Sequence, residues 1–298
     1  MIRESKIITI CFLTRMFISC ESEKHEGIPA VNTEFGQPTK VNMIGYSGHI
    51  MEPCLSRNGN TLLFNNLNEP TENTNLHWAT KVDDSTFQYN GELTGVNTAY
   101  LEGVPALDIA GKFYFVSTRN YLDSLSTIFQ ADYANGTVSN LRLLNGISKL
   151  KPGWVNFDVD ISVDGNTLYF VDGEIPQTIP VSADLVIARK TTNGFERMPN
   201  SNELLKNINT NALEYAACIS NDQLELFFTR LKLPITASSL SEIYVSKRVT
   251  TNEPFGPPSK IASITGFAEA ATLTPDNKRL YYHKKEANKF VLYMVKRN

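Results

Sequence analysis

The chain has little with which to build covalent or metal cross-links. Its 298 residues include four cysteines, Cys11, Cys20, Cys54 and Cys218. These are too few for a disulfide framework, and none stand in the close pairs of a zinc site. Histidine is as sparse: His25, His49, His77 and His283 are dispersed, and His49 alone lies near the acidic positions described below. No GxxxxGKS/T loop, GxSxG elbow or HExxH pair occurs, so phosphate-cradling, serine-hydrolase and zincin chemistry have no sequence support. An excess of one charge is missing too. The 28 Lys+Arg stand against 31 Asp+Glu, a net charge of −3, whereas nucleic-acid surfaces carry a basic excess. Past residue 20 no apolar run reaches the length of a membrane-spanning helix.

What the chain does have is 42% hydrophobic residues, with 16 Phe, 12 Tyr and 2 Trp beside 17 Gly and 14 Pro. That mixture suits a packed domain of many short strands joined by turns. The first residues read as an address. Arg3 and Lys6 precede the apolar run Ile7 to Leu13, and Phe17-Ile18-Ser19-Cys20 has the form of a lipoprotein cleavage box with Cys20 as the lipidated residue. We therefore expect a signal peptide over 1–20, a flexible tether over 21–34 and one folded domain over 35–298. The expected location is the bacterial cell envelope, with the membrane engaged only through the lipid anchor; simple secretion, or an uncleaved N-terminal segment, is the alternative.

The body repeats. Ile161-Ser162-Val163-Asp164-Gly165-Asn166-Thr167-Leu168-Tyr169-Phe170 is an apolar residue, an Asp-Gly turn and a strand ending in aromatics. Related stretches end at Phe64, Phe115, Phe228 and Tyr282, and with Phe170 in its place in the series each end lies 51 to 58 residues from the next. That period fits one four-stranded propeller blade per unit. The second stretch lacks the Asp-Gly turn and the fourth has Gln223 in place of Gly. The last unit ends after its third strand, while Phe35-Gly36-Gln37-Pro38-Thr39-Lys40-Val41 matches Phe255-Gly256-Pro257-Pro258-Ser259-Lys260-Ile261. The expected fold is thus an all-β, five-bladed β-propeller whose last blade is completed by the N-terminal strand, with six blades as the alternative. These motifs resemble the TolB-type, WD-like propeller repeat over about residues 35 to 298. The resemblance implies an interaction platform of the cell envelope.

Two residues before each turn serine or its equivalent stand Cys54, Ala106, Asp160, Cys218 and Thr272, small enough for strands converging on an axis. The two cysteines belong to units that are not neighbours, so no disulfide is expected. Four to six residues before the same position every unit carries an acid: Glu52, Glu102, Asp158, Glu214 and Glu269. Five carboxylates are expected to ring one mouth of the channel, beside Tyr100, Trp154, Phe157, Tyr215 and Phe267. Acids with aromatic faces suit a sugar or an organic cation. The structural alternative is that the acids accept backbone N–H groups or pair with Arg119 and Arg230. No spacing demands a metal or cofactor, calcium being the only ion such a ring would suggest. The expected function is a monomeric, non-catalytic platform for an envelope protein, peptide or glycan. The alternative is a glycosidase, since arabinanase-like and invertase-like enzymes also use five blades with acids at the funnel.

Overall fold

The computed structural model describes residues 30–68, 73–176 and 178–298; the signal-peptide and lipidation readings, Cys20 included, lie outside them. Three short strands come first: β1 (Ala30–Asn32), β2 (Thr39–Lys40) and β3 (Asn42–Ile44). Five antiparallel units follow. The first holds β4 (Met51–Leu55), β5 (Thr61–Asn65), β6 (Leu76–Asp83) and β7 (Thr86–Glu92). The second holds β8 (Glu102–Leu107), β9 (Lys112–Ser117), β10 (Ile128–Ala134) and β11 (Thr137–Leu143), with the single turn α1 (Tyr121–Ser124) between β9 and β10. In the third, β12 (Trp154–Val155) and β13 (Val159–Ile161) both pair with β14 (Thr167–Glu174), followed by β15 (Ser182–Thr191) and β16 (Gly194–Arg197). The fourth has β17 (Leu213–Ile219), β18 (Glu225–Leu231), β19 (Ser241–Lys247) and β20 (Ser259–Ile261). The fifth has β21 (Ala268–Leu273), β22 (Arg279–Glu286) and β23 (Lys289–Lys296).

The turn between the first and second strands explains the repeat. In four units a hydroxyl folds it: Ser56, Ser162, Ser220 and Thr274 each donate to the acid or amide two residues on, and each accepts the N–H that opens the second strand at 2.9 Å. The second unit has Asp108 at that position, and its carboxylate accepts the Ala110 and Lys112 N–H groups instead, at 2.9 and 2.8 Å. A left-handed residue closes each turn. Gly59, Gly111 and Gly165 adopt it without strain, whereas Gln223 and Asn277 adopt it at φ of 60° and 59°. The strand-end aromatics Phe64, Phe115, Phe170, Phe228 and Tyr282 are fully buried.

The first strands β4, β8, β13, β17 and β21 pack against one another in chain order, and β21 packs against β4. Most of the apolar core lies between units: Leu62 and Phe64 meet Tyr281 and Leu292, and Phe227 and Ile243 meet Leu273 and Tyr282. The N-terminal segment serves three units in succession. β1 pairs parallel with β20, β2 pairs antiparallel with β23 (Thr39 opposite Met294), and β3 pairs parallel with β7. β2, within the stretch that matches Phe255–Ile261, lies beside the third strand of the fifth unit, while Met43 belongs to the edge of the first unit. The tether expected over 21–34 is corrected at its end, because the backbone of Ala30–Asn32 is committed to the β20 ladder.

Candidate functional site

Four of the five first strands carry a bulge at the same point, between Met51 and Cys54, Gly103 and Ala106, Tyr215 and Cys218, and Glu269 and Thr272. Its residue is left-handed: Glu52, Val104, Ala216 and Ala270 have φ of 46°, 50°, 51° and 53°. A bulge withdraws a backbone N–H from the ladder, and a buried donor needs an acceptor. Each of the four finds one on the preceding unit. Val104 N–H donates to Asn65 Oδ1 (3.0 Å), Ala216 N–H to Asp158 Oδ2 (3.0 Å), Ala270 N–H to Thr229 Oγ1 (3.1 Å) and Glu52 N–H to His283 Nδ1 (3.1 Å).

Register relative to the turn separates the five acids into different environments. Counted back from the turn residue, Glu52 and Asp158 lie four positions away, Glu269 five, and Glu102 and Glu214 six. Glu102 is fully buried, 3.0 Å from Arg119, and accepts from Ser117 Oγ (2.8 Å) and the Thr98 N–H and hydroxyl. Glu214 repeats this with Arg230 (2.7 Å) and Thr210. Both are neutralised within their own units. The expectation of five carboxylates ringing one mouth is therefore corrected to three, because the two at the earliest register turn to an arginine.

Glu52, Asp158 and Glu269 converge, and His283 and Tyr215 join them. His283, fully buried, accepts the Glu52 N–H at Nδ1, so its proton sits on Nε2 and faces Glu269 Oε2 at 3.2 Å. Tyr215 OH donates to the other Glu269 oxygen. Glu52 accepts from Asn68 Nδ2 at 2.8 Å. Burial, then the charge of Glu52, pushes the Asp158 pKa well above the ordinary carboxylate value, and burial also raises that of Glu52. Burial, then the Glu269 carboxylate, pushes the Tyr215 phenol up strongly. For His283 burial acts downward, but the hydrogen bond to Glu269 and the two nearby glutamates outweigh it and raise the pKa. Phe157 packs against Tyr215 with ring centroids 6.1 Å apart, and Phe267 lies edge-on to Phe290 at the same distance. Tyr100 is exposed, and half-buried Trp154 lies under Lys149 Nζ, 3.2 Å from the ring centroid. His49 Nδ1 accepts the Phe290 N–H at 3.4 Å.

Ligand atoms of Glu52, Glu269 and His283 lie within 4.8 Å of one another, the one such trio among the described residues. Calcium takes six to eight oxygens. Here His283 is engaged on both nitrogens and Glu269 on both oxygens, so few donors are left for it. Below the acids the passage narrows to a cavity of about 30 Å³, lined among others by Glu52, Cys54, Asp160, Cys218 and Thr272. That is room for about one water molecule. Arg57 crosses beneath it from the first unit, pairing with Asp160 of the third at 2.9 Å and donating to the Ile219 carbonyl of the fourth at 3.3 Å. Asp160 Oδ2 accepts the Ile219 N–H at 2.8 Å. Both cysteines are free, and burial pushes their thiol pKa values up, to about 12 for Cys54.

No family model and no curated protein matches the chain. Among solved structures it is similar to the catalytic domain of the GH62 α-L-arabinofuranosidase of Coprinopsis cinerea, with TM-score 0.55 and 12% identity over 90% of this chain and 98% of that one. It is similar to a TolB-type structure from Agrobacterium tumefaciens, with TM-score 0.51 and 11% identity over 87% and 78%. It spans 54% of the TolB chain from Acinetobacter baumannii, at TM-score 0.46 and 13% identity. At such identities the likeness is one of fold, and with the all-β topology above it makes this chain a β-propeller.

Proposed function

We propose that the protein is a non-catalytic binding platform: a five-bladed propeller closed by its N-terminal strand, held at the cell envelope through a lipid on Cys20, that engages an envelope protein, peptide or glycan at the acidic mouth. One observation carries the choice of binding over catalysis. The three mouth carboxylates are committed to hydrogen bonds, two of them between units: Glu269 to Tyr215 and Asp158 to the Ala216 N–H. A glycosidase needs a free acid and a free partner carboxylate on either side of a sugar ring.

The second reading is a glycoside hydrolase. It draws on the raised pKa of the buried Asp158 and Glu52, a property that suits a general acid, and on the fold shared with an α-L-arabinofuranosidase. A screen of the full chain against arabinose-containing and other plant or bacterial glycans, read both for binding and for released sugar, separates the two. Binding or no response, without turnover, is expected. Sugar release abolished by Asp158→Asn or Glu52→Gln would overturn the non-catalytic reading.

A further inference from the structure

The end of the molecule that holds the acids is also its apolar end. The segments that join second to third strands, and those that enter the first strands, all emerge there. They carry eight of the thirteen large apolar side chains that stand exposed among the described residues. Leu122 on α1 is 92% exposed, Leu150 64% and Ile179 57%, with Tyr100 and Leu240 at 52%. These residues come from the second, third and fourth units and from the segments linking the first to the second and the second to the third. Single exposed leucines need no explanation, but eight large apolar side chains on the loops of one end make it the more apolar of the two.

The charge in the middle of this end says what would lie on it. Buried Glu102, Glu214, Asp160 and Asp172 each have an arginine: Arg119, Arg230, Arg57 and Arg197. Glu52, Asp158 and Glu269 have none; no lysine or arginine is among their described partners, which are Asn68, the Ala216 N–H, Tyr215 and His283. His283 is the one basic side chain among those partners; convergent buried carboxylates with so little opposing charge are costly, and an incoming positive charge relieves that cost. We propose that this end docks a polypeptide segment carrying a lysine or arginine between apolar residues. The cation would approach Glu52, Asp158 and Glu269 through the mouth, and the apolar flanks would cover Leu122, Leu150, Ile179 and Leu240. This inference rests on the binding-platform reading and gives it a ligand chemistry.

The test is selection of a displayed random peptide library on the full chain, counter-selected on the Leu122→Asp/Leu240→Asp variant, whose changes fall on exposed side chains. Enriched peptides should carry a lysine or arginine flanked by apolar residues. A synthetic peptide of the enriched sequence should weaken as salt rises and bind about tenfold less tightly to Glu269→Gln of unchanged melting temperature. Enriched peptides without a basic residue, or binding indifferent to salt and to Glu269→Gln, would overturn the cationic component and leave the platform reading standing. No enrichment over the counter-selecting variant would overturn the docking face itself. Glycan binding in the screen above would then be the surviving form of the platform reading.

Discussion

At the residue scale, Asp158 sets the most specific expectation, because its carboxyl is buried among other acids and still accepts a backbone N–H. Burial and the nearby glutamates raise its pKa well above the ordinary 3.8, and the Ala216 N–H only partly offsets them. Between those two values the native state holds a proton that the unfolded chain has released. Stability is therefore full below about pH 3.8 and is lost as pH rises through the folded pKa. Asp158→Asn keeps an oxygen for Ala216 N–H and cannot ionise. In urea melts its midpoint should match the parent at about pH 3.5 and lie above it by a margin that widens toward about pH 8. A margin that stays constant with pH would mean that Asp158 titrates normally. His283 is the counterpart that sequence reading missed. Four scattered histidines gave no cluster, yet His283 directly follows a strand-end aromatic, where Asn65 and Thr229 stand in other units. A polar residue at that place in three of five units was the available signal.

At the element scale, the bulge and its borrowed acceptor join one unit to the next. Replacing Asn65 by Leu removes the acceptor for Val104 N–H, and with it the Asn65 Nδ2 bonds to the Leu67 carbonyl (2.5 Å) and Asn68 (2.7 Å). A buried N–H left unpaired costs about 1–3 kcal/mol. The expected result is a fall of that size in chemical denaturation, with faster hydrogen exchange at the Val104 amide, while exchange at Ala270, bonded to Thr229, stays as it was. Exchange accelerated equally at both amides would make the effect global and remove the joint from the account. These joints also explain what could be read in advance. The turn motif and the strand-end aromatics are local patterns, so a repeating all-β fold could be read from the sequence, and even the second stretch keeps its turn, where Asp108 does the work of the missing hydroxyl. The bulge is not local in this sense. In the four bulged units it changes which way an acid at a given distance from the turn faces, so a window that pooled Glu52, Glu269 and Glu102 as equivalents mixed two mouth residues with one held by Arg119. Nothing in spacing alone reports that change.

At the scale of the whole molecule, one short segment runs across three of the packed units. β1, β2 and β3 take the outer edges of β20, β23 and β7. Between β1 and β2, Phe35 inserts its ring 6.0 Å from Phe227 and lies under Arg297, whose guanidinium carbon is 5.0 Å from the ring centroid. The Gly36 N–H bonds the Lys296 carbonyl at 2.8 Å, and the Asn298 N–H bonds the Glu34 carbonyl at 2.8 Å, so the two ends of the described chain hold each other. Phe35 is 4% exposed, and emptying such a site costs about 3–5 kcal/mol. Phe35→Ala should therefore lower the free energy of unfolding measured in urea by that amount, with one cooperative transition retained, because the strand pairings themselves survive. Deleting residues 1–44 removes the pairings as well and leaves three strand edges open, and open edges recruit other chains. That variant should form oligomers or aggregate in size-exclusion chromatography with light scattering, where Phe35→Ala stays monomeric. A truncated chain that remained monomeric and melted with the parent would show that the units hold their ring without the strap, and would move the source of closure to the contacts between β21 and β4.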